Sequence, residues 1–254
     1  MLTTLLRHDR ALVLAGLSLA IVLAWAWLLV GAGIEMDEMD MGGGQIMLMA
    51  PPWTFGYAVL IFLMWTIMMA AMMLPSAAPV ILLVLALTRQ RGDAHAAHAS
   101  GLFAVGYLAV WGGFSLIATG FQWALDRAGL LSEQMASASV MLAAALLIVA
   151  GIYQWTPWKR ACLRHCRSPL EYLTRFWRQG TFGPLRAGAR HGAFCLGCCW
   201  MLMALLFVGG LMNILWIAGL ALLVLVEKLL PPGPRVSQLT GLVLIGWGGW
   251  TLVH

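Results

Sequence analysis

The sequence predicts an all-α fold, a polytopic bundle of about seven membrane-spanning helices, and three observations carry that expectation. Hydrophobic residues make up 62% of the chain and charged residues only 10%, where a soluble domain carries roughly 25% charged residues. Seven apolar stretches approach or exceed the roughly 20 residues a helix needs to cross a bilayer, over 11–32, 54–88, 101–125, 134–155, 191–210, 212–230 and 236–253. The basic residues collect in alternate loops. Eight of the fifteen lie between Pro157 and Arg190 against the single acid Glu171, whereas Glu35 to Asp40 holds four acids and no base. Positive loops stay inside, so the N-terminus is placed inside and the C-terminus outside, in a multi-pass protein of the inner membrane.

Taken in order, the first stretch follows Arg7 and Arg10 like a signal peptide, but its apolar run is too long and no small-residue cleavage pattern closes it. It reads as a helix. Residues 33–52 form an extracytoplasmic loop, whose segment Met36 to Met49 (MDEMDMGGGQIMLM) is expected to be irregular and to end at Pro51-Pro52. The second run is long for a bilayer, and Pro75 and Pro79 should break it, since each removes a helix hydrogen bond. Broken helices often mark substrate or ion sites. The third and fourth stretches lead to a basic cytoplasmic loop over 157–190. Within that loop, Leu170, Tyr172, Leu173, Phe176 and Trp177 suggest a short amphipathic helix. Gly209-Gly210 to Asn213 predicts a tight turn between helices five and six, and Pro231-Pro232-Gly233-Pro234 ends the sixth. With no repeat and no long linker, residues 1–254 read as one membrane domain.

Several function classes fall away. The net charge of +5 is not spread over a soluble face, so nucleic acid is not an expected partner; the bilayer and a metal ion are. No phosphate loop, Ser–His–Asp arrangement or carboxylate pair is present, which disfavours an enzyme.

All five cysteines lie between Cys162 and Cys199. In helical form, Cys162, His165 and Cys166 stand at i, i+3 and i+4, and so do Cys195, Cys198 and Cys199, each trio within about 100° of one face. His191 precedes Cys195 by four residues and falls on the same arc, while Gly197 leaves room for a neighbouring helix or a metal. Soft ligands grouped in this way suit Cu(I) or Zn(II), or a dithiol redox site. The inner compartment and the odd count both argue against disulfides. The arginines beside Cys162 and Cys166 are expected to lower their thiol pKa. The two trios could share one four-coordinate shell or pass a metal between them. One rival reading is that buried cysteine is simply a small hydrophobe; three within five residues favour function.

Met64, Met68 and Met72 form one helical stripe, and Met69 and Met73 a second. Methionine stripes are ordinarily core, but thioethers also bind Cu(I). Together with Met36, Met39, Met41, Met47 and Met49 outside and the cysteines inside, they outline a Cu(I) route. Lys228 is expected to snorkel at the end of the sixth helix and Glu227 to pair with the basic loop. Gln122, Gln154 and Asn213 are expected to make interfacial or interhelical hydrogen bonds, and His95 and His98 to sit in a solvated turn.

Four segments together resemble a known bacterial family. They are Met64-Trp65-Thr66-Ile67-Met68-Met69-Ala70-Ala71-Met72-Met73-Leu74-Pro75-Ser76; Gly106-Tyr107 through Trp111 to Phe114-Ser115; and Tyr153-Gln154-Trp155-Thr156-Pro157-Trp158-Lys159 running on to Cys162, Cys166 and Pro169. The fourth runs from Gly188, Gly192 and Cys195 through Gly197-Cys198-Cys199-Trp200 to Glu227-Lys228-Leu229. The resemblance is to a domain-of-unknown-function family described as predicted metal-binding integral membrane proteins, over about residues 55 to 230, and it implies metal binding.

The combined expectation is a membrane protein that binds Cu(I) for transport or delivery, with a metallochaperone or partner subunit at its side. Thiolates Cys195, Cys198 and Cys199 are supported by Cys162, Cys166, His165 and His191, and Met64, Met68 and Met72 act as relay ligands. A membrane copper or dithiol oxidoreductase is the alternative, and a zinc-stapled structural protein the third.

Overall fold

The structure, a computed structural model, describes residues 2–33, 37–40, 46–49, 52–93, 95–132, 135–176, 180, 182–231 and 233–253. Helices dominate it: α1 (Leu2–Leu29), α2 (Phe55–Gln90), α3 (Ala96–Arg127), α4 (Val140–Tyr153), α5 (Pro157–Arg167), α6 (Pro169–Phe176), α7 (Gly183–Ala204), α8 (Leu206–Gly209), α9 (Ile214–Leu229) and α10 (Gly233–Val253). Each of the seven apolar stretches contains a helix. Five helical segments, α1, α2, α3, α7 with α8, and α10, are long and apolar enough to cross a membrane, and α4 with α5 adds a sixth if that bent pair counts as one span. α4 and α9, at 14 and 16 residues, fall below the ~20-residue crossing length.

Local chemistry sets the ends. Thr54, Ser139, Thr156 and Asn213 cap α2, α4, α5 and α9, each accepting a backbone N–H from the first turn, which satisfies a donor the helix leaves unpaired. Pro157 opens α5 at a position where no N–H is needed and disfavours helix at the residue before it. The chain therefore bends by 66° between α4 and α5.

Three expectations change. α2 runs unbroken for 36 residues with Pro75 and Pro79 inside it. Each proline removes one hydrogen bond, but the surrounding turn from Met72 to Ala77 is buried apart from the half-buried Pro75, and packing holds the helix through the gap. The outer loop is not wholly irregular, because β1 (Asp37–Asp40) pairs antiparallel with β2 (Ile46–Met49), Asp37 opposite Met49 and Asp40 opposite Ile46. The backbone of Met39, Met47 and Met49 lies in these strands, while Met36 and Met41 lie outside the described residues. The basic loop is largely helical, with α5, α6 and the first turns of α7, which starts at Gly183 rather than at 191. Trp177 lies outside the described residues.

α2 is the central helix, with 56% of its most apolar window buried against 11% for α1. Large apolar side chains such as Leu19, Val22, Ile117, Leu215 and Val243 are exposed on the outer helices, an apolar mantle compatible with a membrane protein. α3 and α7 touch backbone to backbone. A Cβ at Gly188 would collide with the Phe103 carbonyl, and one at Gly106 with the Leu185 carbonyl and, at 2.9 Å, with Ala189 N. Small residues allow this approach, and it brings the residue after Gly106, Tyr107, onto the cysteine face of α7.

A leucine at Gly188 has no room, and overpacking of this kind costs at least about 1–3 kcal/mol. Thermal unfolding in detergent should show Gly188→Leu clearly destabilised. Gly120→Leu, where nothing lies within 4 Å of the added Cβ, should unfold like the parent protein.

Candidate metal site

α7 supplies three buried thiols, Cys195, Cys198 and Cys199, and α5 lays Cys162 and Cys166, both half-buried, across them. All five are free thiols. The two sequence clusters meet. Cys166 lies near enough to Cys198 for the two thiols to interact electrostatically, and Cys162 rests on Gly197, where an added Cβ would stand 2.7 Å from its Sγ. Gly197 thus admits a neighbouring helix, α5. The Tyr153 hydroxyl donates to the Gly197 carbonyl at 2.5 Å and ties α4 to the same point.

Cys195 is the hub. Its Sγ lies 2.9 Å from Lys228 Nζ and 2.9 Å from the Tyr107 hydroxyl. Its carbonyl accepts the thiols of Cys198 and Cys199, each at 3.0 Å. Lys228 Nζ also reaches Ser76 Oγ at 3.3 Å and Met73 Sδ at 3.9 Å, so the proline-framed turn of α2 contributes to the site without being broken. The expected snorkelling of Lys228 does not occur: the side chain turns inward and is 5% exposed. A buried ammonium is costly unless an anion or a ring of acceptors meets it, and among the described residues no carboxylate bridges to it.

What turns Lys228 inward is its neighbour. Glu227 forms a buried ion pair with Lys159 of α5 at 2.7 Å, as expected for a partner in the basic segment, and Gln154 Oε1 accepts from the same Lys159. Arg167 donates to the carbonyls of Glu227 and Pro231 at 2.9 and 2.8 Å. These contacts fix the end of α9 with Glu227 facing α5. One residue on, about 100° round the helix, Lys228 faces Cys195.

The remaining candidates divide. His191 is buried among the rings of Phe103, Tyr107 and Tyr172, with centroids 5.8, 5.9 and 5.1 Å away, and its Nδ1 has no partner. His165 stacks on Phe194 at 4.2 Å with Nδ1 2.9 Å from the Ala161 carbonyl, so ring packing already accounts for its position. Met64, Met68 and Met72 are all buried in α2, but the methionine standing at the cysteine cluster is Met73, from the second stripe. Gln122 bridges helices by accepting Trp65 Nε1 at 2.7 Å, and His95 and His98 are exposed. Burial, followed by the neighbouring Cys198, pushes the Cys162 thiol up, opposite to the lowering expected from adjacent arginines: their heads lie in solvent or are engaged elsewhere, while the thiol faces α7.

Tyr107, Lys228, Ser76 and Lys159 were missed as site residues. Only Lys228 carried a signal, as an ionisable group on a membrane helix. As the side chains stand, no three His, Cys, Asp or Glu groups among the described residues are arranged to hold one ion. Cys195 is engaged by Lys228 and Tyr107, and the other two α7 thiols point at its carbonyl. Two thiolates, which Cu(I) accepts, need far less rearrangement than the four ligands of structural zinc.

Removing one partner of a buried ion pair costs about 3–5 kcal/mol. Lys159→Met should therefore unfold at markedly lower temperature, and Lys159→Met/Glu227→Leu should recover most of the loss.

No curated protein and no solved structure matches this chain. A family model does: PpoB2, copper chaperone, over residues 62–251. The match runs from within α2 through α10 and takes in all five cysteines, Tyr107 and the Lys159–Glu227 pair. The chain belongs to the PpoB2 copper chaperone family.

Proposed function

We propose that this protein is an inner-membrane carrier of Cu(I), taken as cargo by the thiols of α5 and α7 and passed on by ligand exchange. The observation that carries the reading is Lys228 against Cys195. Two cysteinates and one Cu(I) leave one negative charge, and the Lys228 ammonium at 2.9 Å from Cys195 Sγ balances it. A neutral assembly is what a buried site tolerates. Copper association also agrees with the family.

In this reading Cys195 and Cys198 are the principal ligands. Cys199 and the unpartnered His191 Nδ1 are within the same helix face for a third bond. Half-buried Cys162 and Cys166 receive or release the ion at the inner face, where a metallochaperone or partner subunit docks. Exchange between neighbouring thiolates is easy for a soft ion bound by two or three ligands. Each binding step expels thiol protons and replaces the contacts of Cys198 and Cys199 with the Cys195 carbonyl. Met64, Met68, Met72 and Met73, buried along α2, offer thioethers on the way to the outer side. The seven apolar helices, α4 and α9 included, form the membrane domain, with α5 and α6 at the inner surface.

Elemental analysis of anaerobically purified protein should give about one copper per chain, lost in Cys195→Ser/Cys198→Ser. Full retention of copper by that variant would rule the assignment out. Lys228→Met leaves the thiolate pair uncompensated, at a cost of about 3 kcal/mol or more. Competition with a Cu(I) chelator should show binding roughly a hundredfold weaker. Unchanged affinity would remove Lys228 from the account.

A further inference from the structure

Behind the cysteine cluster, between α5 and the start of α10, lies a second cavity of about 320 Å³, and the copper reading does not use it. Its wall holds four cationic side chains of α5, Lys159, Arg160, Arg164 and Arg167, together with Gln154 and Ser237. Among the described residues the only carboxylate bridged to any of the four is Glu227, on Lys159. Arg167 spends its N–H groups on two carbonyls, which leaves its charge uncompensated. Arg160 and Arg164 are exposed and reach the cavity from its mouth.

At the inner end stands Gln154, 1% exposed. Its Oε1 accepts from Lys159, which orients the amide, and its Nε2 has no partner. Ser237 is also buried, 3% exposed, and its hydroxyl has no hydrogen-bond partner. A buried amide donor left unpaired in a cavity with excess positive charge is an incomplete site: it lacks an acceptor-rich anion. Phosphate supplies that chemistry, with several oxygens for the planar guanidinium forks and a negative charge for the uncompensated arginines. The volume is larger than a bare phosphate needs and lies at the low end of the range for small-ligand pockets. Basic pockets between membrane helices on the inner side hold phospholipid headgroups in the same way.

We infer that the α5–α10 cavity, lined by Lys159, Arg160, Arg164, Arg167 and Gln154, binds a phosphate ester. The ester belongs either to an anionic phospholipid or to a soluble phosphomonoester. Lys159 and Arg167 also clamp α9, so the ligand lies against the contacts that hold Lys228 on Cys195. The site stands independently of copper.

The test uses the full chain purified in detergent, with native mass spectrometry and thermal unfolding as readouts. The probes are phosphatidylglycerol, phosphatidylcholine of the same acyl chains, and glycerol phosphate. Phosphatidylglycerol retained at least tenfold better than phosphatidylcholine identifies a lipid headgroup site. Saturable stabilisation by glycerol phosphate without that lipid preference identifies a soluble ester. Either effect should fall at least tenfold in Arg160→Gln/Arg164→Gln, an exposed pair whose loss leaves the core packing intact. The inference is overturned if the two lipids bind alike and glycerol phosphate has no effect, or if the double variant binds as the parent does.

Discussion

A lysine ammonium packed against a cysteine sulfur sets the terms for the interior of this protein. Lys228 on Cys195 places a full charge in the apolar centre of a helix bundle, and such a charge persists only where acceptors surround it. The structure gathers them from three helices: Cys195 from α7, Ser76 and Met73 from α2, with the Tyr107 hydroxyl from α3 on the same sulfur. The closeness of α3 to α7 at Gly106 and Gly188 is what lets Tyr107 arrive there. Removing any of these supports leaves polar groups unpaired in a dry environment.

The second constraint lies one residue away in sequence. Glu227 and Lys159 neutralise each other in the core, and Arg167 takes the carbonyls at the end of α9. α5 therefore does two jobs through one short helix. It positions the lysine that faces the α7 thiols, and it carries Cys162 and Cys166 onto those thiols. Any movement of α5 changes access to the cluster and the hold on Lys228 together. In the proposed copper-carrying role, that coupling would let displacement of one short amphipathic helix open the cluster without opening the whole helix bundle.

Much of this was legible in the sequence. Hydropathy located the five or six long apolar helices, and cysteine spacing located the cluster, since i, i+3, i+4 periodicity is a property of the helix itself. Glu227 pairing with the basic segment followed from charge alone. The failures have a common cause, which is tertiary packing. Prolines weaken a helix locally, yet α2 runs through Pro75 and Pro79, with the turn around Pro75 held by its buried neighbours. Lysines near membrane surfaces usually reach for water, yet Lys228 is turned inward because Glu227 takes the side facing α5. Tyr107 bore no mark beyond the glycine before it, because what matters there is how closely another helix approaches.

The central claim is that Cu(I) is held by thiolates of α7 beside Lys228. Copper K-edge X-ray absorption on the copper-loaded protein tests it most directly. The account predicts Cu(I) in a shell of two or three sulfurs with at most one nitrogen, and loss of that shell in Cys195→Ser/Cys198→Ser. A shell of nitrogen and oxygen alone, or a sulfur shell unchanged in the double variant, would contradict it.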